Sequence, residues 1–222
     1  MPEKYDSRIY EKPSVTVDIA VCTIKDGELQ VLLIERKHPP FRGSWAIPGG
    51  FVELPKNESL EETAARELRE ETGLKGIYLE QLKSYGDPGR DPRMRIITVA
   101  FFALVPFRGL PVKAGSDASK AEWFPIRKLP TNLAFDHKKI LADVVKRMQE
   151  KIMITDIAFN LVPKKFIWSD LKQVYEVILN KKLIDGNFRR KIKGTFKIKE
   201  LKETTKASFG RPSRYVELLS YS

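Results

Sequence analysis

Residues 59–74, SLEETAARELREETGL, leave the chain little choice of local structure. Ser59 and Glu62 form an S-x-x-E capping box, which satisfies orphan N–H groups at a helix start. Gly73 stands where a left-handed residue ends a helix. The spacing predicts a helix over residues 59–72, with Leu60, Ala64 and Leu68 on its apolar side. Glu67, Glu70 and Glu71 stand at i, i+3 and i+4, roughly on the opposite face. Like charges so placed repel by on the order of a few tenths of a kcal/mol per pair. Solvent and the neighbouring arginines absorb that cost, or a cation does. The first case is a solvated charged face. The second is an oxygen-rich site suited to a hard divalent cation, Mg²⁺ or Mn²⁺, bound beside substrate phosphates.

The surrounding segments read as mixed α/β. Residues 14–24 and 29–36 are β-branched strands around the turn signal KDGE. HPPFRGSW is a loop, and AIPGGFVELPKNE is a Gly/Pro-rich connection into the acidic helix. Residues 77–86 and 94–106 are strands flanking the polar loop DPGRDPR, and 121–126 is a short strand. Residues 137–152 form a helix with Ile140, Leu141, Val144, Val145 and Met148 on one side.

Charge divides the chain more sharply than hydropathy does. Residues 1–150 carry 24 Lys+Arg against 22 Asp+Glu, whereas residues 151–222 carry 16 against 7, so most of the net +11 lies in the last third. We expect two units, 1–150 and 151–222, the second with a polyanionic partner. In that second unit Ser169 is placed to cap a helix, DLKQVYEVILN. A turn leads to a short basic helix, GNFRRKIKG, and FKIKELKET and RYVELLS then read as a hairpin around TKASFGRP. Helix, turn, basic helix and hairpin is the plan of a winged helix-turn-helix. Asn187, Arg189, Arg190, Lys191 and Lys193 are the candidates to meet phosphates and base edges of duplex DNA. Arg211 and Arg214 on the wing are expected to reach backbone or minor groove. Phe159, Leu161, Phe166, Leu171, Val174, Tyr175, Ile178 and Phe188 are the expected small core. The alternative for the basic helix is a soluble face.

The single cysteine, Cys22, excludes an intramolecular disulfide and suits a reducing compartment. The polar N-terminus has no apolar signal region, and no apolar run approaches the roughly 20 residues of a membrane span. A cytoplasmic protein with no membrane partner is expected.

GGFVELPKNESLEETAARELREETGL (49–74) resembles the Nudix box, G-x5-E-x7-R-E-U-x-E-E-x-G-U with U apolar. From Glu58 onward the fit is complete. Upstream, seven residues rather than five separate Gly50 from Glu58. The resemblance implies an α/β/α sandwich with a mixed sheet, and hydrolysis of a nucleoside diphosphate linked to another group. It implies that Glu67, Glu70 and Glu71 bind Mg²⁺ or Mn²⁺, that Glu58 supports the site, and that Arg66 braces it by a salt bridge. A further glutamate outside the box falls on Glu53 or Glu122, with nothing to choose between them. GSWAIPGGFVE and DPGRDPRMRIITVAFFAL resemble ADP-ribose-directed Nudix domains. Gly49 and Gly50, with Arg36, Arg90, Arg93 and Arg95, are the substrate-binding candidates. Arginine forks fit phosphate oxygens, and surface charge is the alternative. Tyr85 or Phe41 stacks on adenine or packs in the core. His137, in AFDHKKI, caps or packs, and His38 is a loop-surface residue.

From about residue 14 to 217 the chain is similar to the NrtR family of Nudix-related transcriptional regulators, through FNLVPKKF, NFRRKI and GRPSRY. That likeness implies an ADP-ribose sensor and a homodimer placing two winged helices on a palindromic operator. The expectation is a DNA-binding regulator whose first unit binds and hydrolyses ADP-ribose or a similar nucleotide. The alternative is an ADP-ribose diphosphatase, giving AMP and ribose 5-phosphate, whose C-terminal unit serves dimerisation or protein binding.

Overall fold

The structure, a computed structural model, describes residues 11–107, 118–205 and 212–221. Strands β1 (Ser14–Lys25) and β2 (Glu28–Arg36) form the expected hairpin. Its turn is Asp26–Gly27, both left-handed at φ 51° and 75°, the conformation a twisted two-residue hairpin needs. Further strands are β3 (Trp45–Ala46), β4 (Gly49–Phe51), β5 (Tyr78–Tyr85), β6 (Ile96–Leu104) and β7 (Ala118–Pro125). The sheet runs β3-β2-β1-β6-β5, with β7 also on β2 and β4 on the start of β1. β1 and β6 are parallel and their other neighbours antiparallel, so the sheet is mixed, as expected.

β1 sorts its side chains by alternation. Val17, Ile19 and Val21 pack with Ala64 and Leu68 of helix α1 (Leu60–Thr72). Ala20 and Cys22 face the other way, with Ile140, Leu141 and Val144 of helix α2 (His137–Lys151). The result is the α/β/α sandwich. Burial pushes the Cys22 thiol up to about 12, so it is an inert core group. Both bonds of the α1 capping box are present: Ser59 Oγ accepts from Glu62 N at 3.1 Å, and Glu62 Oε2 from Ser59 N at 2.8 Å. Gly73 closes the helix at φ 76°.

The C-terminal unit holds helices α3 (Trp168–Leu179) and α4 (Asp185–Thr195), then strands β8 (Phe196–Thr204) and β9 (Arg214–Tyr221) as an antiparallel hairpin. Ser169 does not cap α3. The helix begins two residues earlier than expected, at Trp168, with Ile167 at the cap position and no side-chain cap bond, so Ser169 sits in the first turn. The expected core residues pack together, Phe159 against Phe166 and Phe196, and Tyr175 against Phe188. Arg211 lies outside the described residues.

The division expected after residue 150 falls in the last turn of α2, and apolar packing crosses it. Met148, Ile152 and Ile157 share one buried cluster with Leu171 and Ile178 of α3. Gln149 Nε2 also donates to the Ile178 carbonyl at 3.0 Å. Among the described residues no helix is long and apolar enough to cross a membrane.

Candidate ligand cleft and nucleic-acid interface

A cleft of about 410 Å³ opens where β1, β4, α1 and the start of α2 meet. Two glycines let these elements approach. A Cβ on Gly49 would lie 2.3 Å from the Val17 carbonyl oxygen, and one on Gly50 would lie 2.3 Å from the Glu67 carboxylate. Gly49 N donates to Glu71 Oε2 at 2.8 Å, tying β4 to the acidic helix. Both candidate glycines therefore line the cleft, through lack of bulk.

Arg66 is the centre of the acidic wall. Its side chain is 6% exposed; Nε donates to Glu58 at 2.8 Å, and Nη1 to Glu67 at 2.7 Å and Glu70 at 3.2 Å. Burial disfavours the guanidinium charge, but Glu58 and Glu67 outweigh it and hold the pKa above its ordinary value. Burial pushes the Glu67 carboxyl up, against Arg66. The brace thus has the expected partners and one more, Glu53 at 3.6 Å. Glu53, Glu67, Glu70 and Glu71 line the cleft, and Glu58 stands behind Arg66. Of the two candidates for the outlying glutamate, Glu53 faces the cleft, whereas Glu122 is exposed on β7 opposite Leu33. The longer connection before Glu58 contains a 3-10 turn, Leu54–Lys56, closed by Asn57 at φ 51°. The Glu58–Arg66 bond forms despite it.

The donor set consists of carboxylate oxygens and fits a hard divalent cation. Among the described residues, no three ligating side chains already converge at metal-binding spacing. Glu67 and Glu70 are turned to Arg66, and Glu71 to Gly49 N. A cation held here would draw Glu67 and Glu70 from Arg66.

The arginines divide. Arg90 lines the cleft with its fork already engaged by carboxylates. It is 5% exposed; Nε and Nη2 grip Asp136 at 3.0 and 2.7 Å, and Nη2 lies 3.4 Å from Asp18. Arg93 lines the cleft with its fork on Asp91 at 3.0 and 2.7 Å. Arg95 is exposed and does not line the cleft. Arg36 does line it; Nε donates to the Pro40 carbonyl at 2.9 Å, and among the described residues no carboxylate pairs with it. Burial, and then Arg93, lower its pKa.

Neither aromatic candidate stacks in the cleft. Tyr85 is buried with its hydroxyl donating to Asp143 at 2.8 Å, and Phe41 lies edge-on to Phe135. The rings that line the cleft are Phe51 and Phe135. Phe135 is left-handed at φ 52°, a costly conformation for a bulky residue. His137 packs, buried as the first residue of α2, and its Nδ1 accepts from Ile47 N at 3.1 Å. The imidazole proton is thereby assigned to Nε2, which stands 3.6 Å from Asp18 Oδ1. His38 is an exposed loop residue at the cleft. Sequence reasoning missed Asp18, one polar residue in an alternating strand, and passed over Phe51 and Phe135 within segments it quoted for other residues.

On the C-terminal unit α4 buries Phe188 and Ile192 and shows its basic residues to solvent. Arg189 and Lys193 lie on one flank, each 5.6 Å from the Trp168 ring. Lys193 also pairs with Glu200 at 2.9 Å. Arg190 faces outward and donates to Asn187 Oδ1 at 3.1 Å, while Lys191 is exposed. Arg214 is exposed at the start of β9.

Comparison with known proteins agrees with both halves. Residues 14–144 match the model of the NUDIX domain, and residues 158–217 match the NrtR DNA-binding winged helix domain. The chain is 37% identical over 190 residues to the ADPR responsive transcriptional repressor NtrR of Acinetobacter baylyi, covering 85% of this chain and 76% of that one. It is 43% identical over 139 residues to the ADP-ribose pyrophosphatase of Methanocaldococcus jannaschii, covering 63% of this chain and 77% of the relative. The crystal structure of Shewanella oneidensis NrtR complexed with a 27mer DNA superposes with TM-score 0.81 at 30% identity, over 92% of this chain and 93% of that one. The chain belongs to the Nudix family and carries an NrtR DNA-binding winged helix domain.

Proposed function

We propose that this protein is a transcriptional repressor whose winged helix binds an operator duplex and whose Nudix cleft binds ADP-ribose. The supporting observation is the joining of the two surfaces: an oxygen-lined cleft bearing Arg36 and a solvent-facing basic helix share one apolar core. The likeness to the Acinetobacter repressor and to the DNA-bound Shewanella structure supports the same reading. Two copies on a palindromic duplex fit the symmetry of such recognition.

Turnover is the second reading, favoured by the full set of acids. Glu67, Glu70 and Glu71 would hold Mg²⁺ or Mn²⁺, with Arg66 and Glu58 fixing the first of these. A bound cation supplies charge neutralisation on pyrophosphate oxygens and a more acidic water. Arg36 places a cationic fork on the same ligand, and Gly49 N orients Glu71. Water adds to one phosphorus, the P–O–P bridge breaks, and AMP and ribose 5-phosphate leave.

Both readings meet in one assay series, with duplex binding measured with and without ADP-ribose and AMP release followed with Mg²⁺. Operator binding released by ADP-ribose is expected. Glu71→Gln should cut AMP release by at least about 100-fold while leaving duplex binding intact. Absence of duplex binding at low salt would remove the repressor reading. Unchanged turnover in the variant would remove the assigned catalytic wall.

A further inference from the structure

Asp18 has no part in the chemistry above, yet it lines the cleft. It sits on β1 between Gly49 of β4 and Ala100 of β6, with a neighbouring strand on each side. Its side chain is 13% exposed. A buried carboxylate is costly unless its oxygens are well bonded. Its two nearest side-chain nitrogen donors are distant: Arg90 Nη2 at 3.4 Å from Oδ2, and the imidazole Nε2 of His137 at 3.6 Å from Oδ1. Charge-assisted bonds normally run about 2.7–2.9 Å, and Arg90 makes its short bond to Asp136 instead. Burial opposes ionisation of Asp18, but His137, Thr98 and Arg90 outweigh it and hold the carboxyl below the usual carboxylate range. The floor of the cleft therefore presents a charged acceptor with bonding capacity to spare.

We propose that Asp18 reads a sugar hydroxyl of the nucleotide ligand, accepting its hydrogen bond. This rests on the ADP-ribose reading of the cleft. A phosphate over Asp18 would meet like charge, so the phosphates lie toward Arg36 and a neutral donor lies over Asp18. In a nucleoside diphosphate sugar those donors are chiefly ribose hydroxyls. A buried acceptor left without its donor is penalised, so the site discriminates against ligands lacking that hydroxyl.

Calorimetric titration tests the assignment with ADP-ribose, with ADP, which lacks the terminal ribose, and with analogues of ADP-ribose deoxygenated at either sugar. Wild-type protein is expected to lose about tenfold or more in affinity with at least one of these analogues. Asp18→Asn is expected to lose about tenfold or more for ADP-ribose, and less than about twofold for the analogue missing the hydroxyl it reads. Equal losses for every ligand would reduce Asp18 to a brace for Arg90 and overturn the proposal. A loss seen with Mg²⁺ and absent in EDTA would make Asp18 a cation ligand and overturn it as well. Wild-type indifference to every deoxygenation overturns it without recourse to the variant. A wild-type protein that binds no ADP-ribose fails the functional reading itself, and is distinguishable because no ligand comparison is then possible.

Discussion

Helices α1 and α4 are both densely charged, and their charges are used in opposite ways. On α1 the cation is buried and answered within the fold: Arg66 meets Glu53, Glu58, Glu67 and Glu70. The helix starts with a full capping box. On α4 Arg190 and Lys191 are exposed, and no side chain caps the start. Arg189 and Lys193 rest on Trp168. A site for a small ligand has its charges positioned beforehand, so little reorganisation accompanies binding. A surface for a polyanion keeps its charges in water until the partner displaces its own counterions.

The largest expected effect separates the two by salt. Four phosphate contacts would lower duplex affinity roughly a hundredfold between 50 and 200 mM salt. ADP-ribose binding in the sheltered cleft should change by far less. Parallel titrations of both ligands across that range check it, and equal slopes would break the contrast. Glycines sharpen it next. Gly49→Ala puts a methyl group against the Val17 carbonyl and should destabilise by about 3 kcal/mol, the upper end of overpacking effects, read from a urea midpoint. Gly194, on α4, has nothing within 4 Å of a built Cβ and no positive φ. Gly194→Ala should stabilise the protein by up to about 1 kcal/mol, seen as a small rise in melting temperature. A fall there would mean that the exposed helix has packing duties the fold does not display.

The acidic helix was legible because its signals are local: cap, apolar stripe, acids and stop lie within sixteen residues of sequence, 59–74. The winged helix was legible for the same reason. Arg90 lines the cleft as expected, but its pairing is not legible, because its partners Asp18 and Asp136 lie 72 and 46 residues away. For Tyr85 the packing alternative holds, and the partner that decides it, Asp143, comes from α2, 58 residues on. In sequence Asp18 is one polar residue in an alternating strand. Only the pairing of β1 with β4 and β6 brings it to the cleft floor. Residue type points to Ser169 as a cap, whereas the helix starts at Trp168, which packs edge-on to Phe188, a contact 20 residues away in sequence.

Helix α2 begins at the ligand and finishes at the operator reader. His137 lines the cleft, Asp136 before it grips the cleft's Arg90, and Gln149, about three turns on, holds the backbone of α3. At 1.5 Å per residue, fifteen residues make a strut of roughly 22 Å. Where a tethered pair of domains would communicate through slack chain, sensor and reader here are mounted on the two ends of one stiff beam. A rotation of about 5° at one end is a displacement of about 2 Å at the other.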